Sequence, residues 1–132
     1  MTIQVYSKSK DGNKKVSTNF RVKEFACNDG SDAVFVDSEL IDVLQKIRNH
    51  FGAAVTITSA YRTHTHNKAV DGTRFSQHLY GRAADIKVKN IKPSKVADYA
   101  EKILSKGGIG RYNTFTHIDV RSTKARWNAQ TK

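Results

Sequence analysis

The chain has one cysteine, one proline and no apolar run of membrane-spanning length, and these scarcities bound it before any motif is found. A lone Cys27 cannot close an intramolecular disulfide, so a secreted disulfide-stapled scaffold is excluded; its expected place is the interior, as a small hydrophobe. No segment approaches the ~18 consecutive apolar residues that a bilayer-crossing helix needs. The opening "MTIQVYSKSKDGNKK" has no apolar stretch of the signal-peptide kind, so synthesis in the cytoplasm without a signal peptide is expected. Acidic residues are scarce as well: 12 Asp and Glu against 23 Lys and Arg leave a formal charge of +11. Such a surface suits nucleic acid and an anionic cell-wall polymer equally, and charge alone does not choose. A nucleic-acid binder predicts a basic stripe interleaved with aromatics. Here the cations are spread along the chain, so nucleic acid is not an expected partner.

What the chain does have is enough apolar material for one core. Its 132 residues are 38% hydrophobic, with six Phe, five Tyr and one Trp. Disordered chains lack that area, and this length is about one domain's worth. No repeat, low-complexity tract or Pro/Gly/Ser linker divides it, so residues 1–132 read as a single domain, expected as a monomer. Residues 1–17, with Lys8, Lys10, Lys14 and Lys15, read as a basic arm or peripheral segment, followed by a short extended piece near "VSTNFRV". From Asp37 the pattern turns helical: Asp37 or Ser38 can cap, and Leu40, Ile41, Leu44, Ile47 and Phe51 recur at helical spacing until Gly52. His50 near that helix's end faces the favourable end of its dipole. "AVTITS" alternates as a strand does. Ala60 to Gly81 shows neither period yet holds three of the five histidines, and an irregular stretch of that length is usually functional or mobile. "ADIKV" resumes alternation. Pro93 suits a first helical turn, followed by the stripe Val96, Tyr99, Ala100, Ile103 and Leu104 up to Gly107 and Gly108. "IGRY" and "FTHIDVR" can pair as a hairpin across Asn113 and Thr114.

That hairpin has a chemical consequence. Alternate side chains of a strand face opposite ways, so with Ile118 and Val120 in the core, His117 and Asp119 project together on the other side. If the strand holding Asp85 lies in the same sheet with Ile86 and Val88 turned inward, Asp85 joins that face, and His78 reaches it from the loop. Catalytic zinc takes three His or carboxylate ligands and leaves a fourth position for water. The ion then brings that water's pKa to about 7. Gly81, Ala83 and Ala84 would let the backbone close tightly around such a site. His64 reads as a surface residue.

Ser76, His78, Gly81, Ala83 and Asp85 match the S-x-H-x-x-G-x-A-x-D pattern of the D-Ala-D-Ala carboxypeptidase family of zinc peptidases. That family includes phage peptidoglycan endopeptidases and shares its fold with the hedgehog signalling domain. "SAYRTHTHN" resembles the S-G-Y-R segment and following H-N that precede this motif, and "FTHIDVRSTKARW" is similar to the F-V-H-V-D-V-R close of small single-domain members. "VKEFACNDGSD" resembles the opening of that subgroup, so the resemblance runs from Phe20 to Trp127.

The resemblance implies an α+β domain of the hedgehog/DD-peptidase type, an antiparallel sheet with helices on one face and a zinc cleft on the other. It implies Zn2+ held by His78, Asp85 and His117, with Arg62 engaging the substrate's carboxylate or scissile carbonyl. Where family enzymes carry a proton acceptor near the last ligand, this chain has Thr114 and Phe115, which cannot act. Asp119, on the same strand face, is the candidate base. In an alternative register Asp119 is the ligand and His117 the catalytic group. His66, Gln77 and Tyr80 are candidate substrate contacts, with packing or surface roles the competing reading for each, and Arg121 and Trp127 are expected to tie down the C-terminal segment. The implied activity is hydrolysis of an amide bond in the peptide part of peptidoglycan, of the kind a phage endolysin performs after release to the cell wall through a helper pore. A metal-binding domain of the same fold without catalysis is the alternative.

Overall fold

The computed structural model describes residues 2–131. Its N-terminal part is structured, where a free basic arm was one expectation. Strand β1 (Ile3–Ser7) leads into a single helical turn, α1 (Lys8–Asp11), and strands β2 (Lys15–Ser17) and β3 (Phe20–Arg21) form a small antiparallel ribbon. A 3₁₀ turn (Val22–Phe25) and strand β4 (Ala33–Asp37) follow, and β1 pairs antiparallel with β4 from Ile3 opposite Asp37 to Ser7 opposite Ala33. Asp32 ties the turn down by accepting the Ser7 hydroxyl (2.6 Å) and the Ser9 N–H (2.8 Å). Local polar groups that satisfy the backbone thus order a segment whose lysines alone suggested a solvated arm.

Asp37 caps α2 (Ser38–Phe51) as the sequence pattern requires, its carboxylate accepting the Glu39 N–H at 2.9 Å. Leu40, Ile41, Val43, Leu44 and Ile47 are buried along one side of that helix. Strand β5 (Val55–Ser59) is next, followed by α3 (His64–Ala69) and a 3₁₀ turn over Gln77–Tyr80, so the stretch expected to be irregular contains two short helices. Both are capped locally, by Thr63 and by Ser76, which is why periodicity did not reveal them: capping, not an apolar stripe, starts elements this short. Strand β6 (Ala83–Val88), helix α4 (Pro93–Ile103) with Pro93 in its first turn, and strands β7 (Gly107–Arg111), β8 (Thr116–Asp119) and β9 (Lys124–Asn128) complete the chain. Gly107 and Gly108 open β7 and do not end the helix.

The main sheet has the order β5-β6-β8-β7-β9. Its first four strands are antiparallel neighbours, but β9 runs parallel to β7, so the sheet is mixed and not purely antiparallel. The cause is geometric: the short link after β8 carries the chain past the end of β7 and lays β9 along that strand's free edge in the same direction. Helices α2 and α4 pack against this sheet. Ala84, Ile86, Val88, Ile109 and Ile118 join Leu44, Ile47, Val96 and Ala100 in one core. Each fully buried Leu or Ile contributes about 1.5–3 kcal/mol. Since the inward set on β6 and β8 is Ala84, Ile86 and Ile118, strand alternation turns Asp85 and His117 to the other face, and the register sets them directly opposite each other.

Candidate metal centre

Three elements bring three side chains together. β6 contributes Asp85, β8 contributes His117, and the 3₁₀ turn over Gln77–Tyr80 contributes His78. Ser76 caps that turn, its Oγ accepting the His78 N–H at 3.2 Å, so the serine of the motif shapes the backbone that carries the histidine. The Arg62 N–H donates to the His78 carbonyl at 3.0 Å and zips the loop after β5 to the same turn. One ligating atom from each of His78, Asp85 and His117 lies within 4.8 Å of the others, and all three residues are buried. Asp85 Oδ1 is 3.4 Å from His78 Nε2 and 2.9 Å from His117 Nδ1. Zinc bonds of about 2.0–2.1 Å at tetrahedral angles put ligand atoms roughly 3.3 Å apart, a value that the two Asp85 distances bracket.

The tautomers supply a sharper test of fit. His78 Nδ1 lies 2.7 Å from the Ala60 carbonyl oxygen, which can only accept, so the proton of a neutral ring sits on Nδ1 and Nε2 presents a lone pair. His117 Nε2 lies 2.8 Å from Asp119 Oδ2, and a proton held there leaves Nδ1 as a second lone pair. Two imidazole lone pairs and a carboxylate then converge on one point, an arrangement that calls for a cation. Electrostatics around the point agree. Burial alone would raise the Asp85 carboxyl, yet the imidazoles of His117 and His78 hold it well below the usual carboxylate range. Burial alone would lower His117, but its contacts with Asp119 and Asp85 reverse the sign, and its pKa is raised.

Asp119 is not the free acid–base group expected from its place on the strand. It is fully buried, and its oxygens accept from His117 Nε2, from Arg121 Nε (2.8 Å) and Nη2 (2.7 Å), and from the Gly108 N–H (2.9 Å). Those donors occupy the lone-pair sites of a carboxylate, and the contacts from His117 and Arg121 hold its pKa well below the ordinary range against the upward push of burial. A group so committed is a poor proton acceptor. The geometry gives it the task of orienting His117, and the register with Asp119 as ligand loses support because its oxygens point to Arg121 and not to His78. The Trp127 ring packs beside this assembly, 5.0 Å from the His117 ring and 5.6 Å from the Arg121 guanidinium. Gly110 leaves the room: a Cβ there would stand 2.5 Å from the indole.

Arg62 stands on the other side of Asp85, with Nη2 3.6 Å from Oδ2. Its Nε donates to Ser59 Oγ (3.1 Å) and its Nη1 to Asn67 Oδ1 (3.3 Å), so two polar side chains aim the guanidinium. These groups open onto a cavity of about 490 Å³. Arg62, Gln77, His78, Asp85 and His117 line it, joined by Asp71, Phe75, Tyr112, Arg121 and Trp127, which sequence reasoning did not place there. His66 and Tyr80 are not among its lining residues: His66 sits within α3 and Tyr80 is exposed at the end of its turn, because each helix points only some of its side chains inward. Asn67 was also missed, although its neighbour relation to Arg62 was present in the "YRTHTHN" segment. His50 is distant from the site and stacks on Tyr99 at 3.7 Å. Cys27 is buried and free.

A sequence profile of the family described as Peptidase M15 matches residues 18–119 of the chain. No curated protein matches it.

Proposed function

Because the chain belongs to the M15 family of D-Ala-D-Ala carboxypeptidase-like zinc peptidases, we propose that it hydrolyses an amide bond in the peptide part of bacterial peptidoglycan, using zinc held by His78, Asp85 and His117 in a hedgehog/DD-peptidase fold. The observation that carries this reading is the convergence of two imidazole lone pairs and a carboxylate on the floor of an open cavity. When bound, the ion supplies Lewis acidity toward the scissile carbonyl and toward water.

The chain's own residues do the rest. His78 and His117 each keep one ring nitrogen free by donating the other N–H, to the Ala60 carbonyl and to Asp119 respectively. Arg121 holds Asp119 by two side-chain bonds, so the imidazole of His117 is fixed in orientation as well as in tautomer. Arg62, braced by Ser59 and Asn67, uses part of its five-donor fork on the protein and has the remainder for the substrate. An oxyanion developing at the scissile carbonyl, or a terminal carboxylate, is the natural acceptor, and one such donor accounts for about 10²–10³ in rate at other hydrolytic centres. Gln77 and Trp127 form part of the wall that the peptide passes.

Purified peptidoglycan digested by the zinc-loaded chain, with and without a chelator, tests this directly. Mass analysis should show new fragments that carry a freed amine, disappear with the chelator and return with added zinc. Metal binding without fragments would leave a binding domain of the same fold, and absence of metal binding would remove both readings.

A further inference from the structure

We infer that Asp71 is a specificity-determining residue that pairs with an ammonium group on a long side chain of the substrate peptide, as a diamino acid presents. The inference rests on the peptidase reading of the cavity. Among the described residues, Asp71 and Asp85 are the only acidic ones lining that cavity, and Asp85 belongs to the candidate metal centre. The charged residues otherwise found there are Arg62 and Arg121, in a chain of net charge +11. An acid in those surroundings runs against the general charge, and Asp71 takes part in none of the ion pairs among the described residues.

Its placement is built. Asp71 has a φ of 55°, the left-handed region that Asp and Asn tolerate best among side chains with a Cβ. Its N–H donates to the Lys68 carbonyl (3.2 Å), and the next residue's N–H, that of Gly72, to the Asn67 carbonyl (2.8 Å). Asn67, 5% exposed, also donates from Nδ2 to the Thr73 carbonyl (2.9 Å), so the loop carrying Asp71 hangs from the side chain that braces Arg62. Beside Asp71 the same wall shows two bare apolar side chains, Val70 at 47% and Phe75 at 70% exposure. An apolar strip next to a free carboxylate is complementary to an alkyl stem that ends in a cation. Arg74, whose guanidinium is 5.4 Å from the Phe75 ring centroid, is not among the lining residues.

The test uses the zinc-loaded full chain and two synthetic stem peptides, identical except that one carries a free lysine-type amine and the other has that amine acetylated. Cleavage rates and calorimetric affinities are read on both for the wild type and for Asp71→Asn, which keeps the backbone conformation. The wild type should favour the free amine by about fivefold, the size of one partly exposed ion pair, and Asp71→Asn should lose that preference while treating the acetylated peptide as the wild type does. Asp71→Lys should turn the preference against the free amine. A preference that survives Asp71→Asn overturns the inference, and so does an equal fall on both peptides, which would mark a proton-transfer or purely structural role. Preference in binding without any turnover upholds the pairing and removes the hydrolase reading instead. No preference in either measurement removes the pairing alone.

Discussion

Gly72→Ala is the smallest change that should disable Arg62 without touching it. A Cβ at position 72 would stand 2.6 Å from Asn67 Cγ and 3.0 Å from Nδ2, and closer still to Oδ1. Carbon atoms rest roughly 3.5–4.0 Å apart, so the Asn67 carboxamide must retreat by about 1 Å. It has nowhere easy to go, being buried and bonded on one side to Arg62 Nη1 (3.3 Å) and on the other to the Thr73 carbonyl (2.9 Å). Losing both bonds costs about 2–3 kcal/mol, with the larger share from the one to a charged partner. The kinetic cost exceeds what that destabilisation implies, because a misplacement near 1 Å in a positioning group lowers rates by about 10²-fold. The expected result is a kcat/KM on peptidoglycan peptides down by about 10–100-fold, with zinc content unchanged, because His78, Asp85 and His117 lie on other elements. Asn67→Ala should give a similar loss, and adding Gly72→Ala to it should do little more, since the three atoms nearest to the new methyl all belong to the Asn67 carboxamide. Wild-type kcat/KM in Gly72→Ala, or a double variant far worse than Asn67→Ala alone, would refute the reasoning.

Three further outcomes follow from the same geometry. His117→Ala or His78→Ala should abolish zinc retention, read as metal per chain after dialysis, and with it essentially all fragment release, while the fold measured by circular dichroism persists. Asp119→Asn should keep the fold but weaken zinc binding by about 10–100-fold, the usual effect of removing the group that orients a histidine ligand, whereas loss of activity at unchanged zinc affinity would restore Asp119 as the base. Zinc affinity should also fall as pH falls: the raised pKa of His117 means that the metal-free site holds a proton more tightly than an ordinary imidazole. Binding then expels that proton at every pH below the raised pKa, and competition titrations should show about a tenfold loss per pH unit there.

Much of this was legible in the chain because strands carry a fixed period. "HIDVR" and "ADIKV" alternate, so once Ile118 and Ile86 are assigned to a core, His117 and Asp85 must share the opposite face. The first long helix was equally readable, since Asp37, the apolar spacing and Gly52 are all local signals. Residues 3–17 and 64–80 were harder. Their elements are only three to six residues long, and no period can show itself over such lengths.

The candidate ligands, then, could be named from the sequence: the residue types, the strand phase of Asp85 and His117 and the small residues after His78 single them out. What each neighbouring group does with its electrons was decided by tertiary structure alone. Asp119 sits two residues from His117 and two from Arg121 in the chain, and nothing local says whether its carboxylate is free; only the fold turns the Arg121 fork back onto it and brings the Gly108 N–H from the neighbouring strand to use up its lone pairs. Asp71 shows the reverse, an acid in a polar loop that has no ion-pair partner among the described residues although it lines the same cavity as two arginines. Side-chain chemistry is written residue by residue, whereas hydrogen-bond saturation is a sum over neighbours, and neighbours distant in sequence are chosen only when the chain closes.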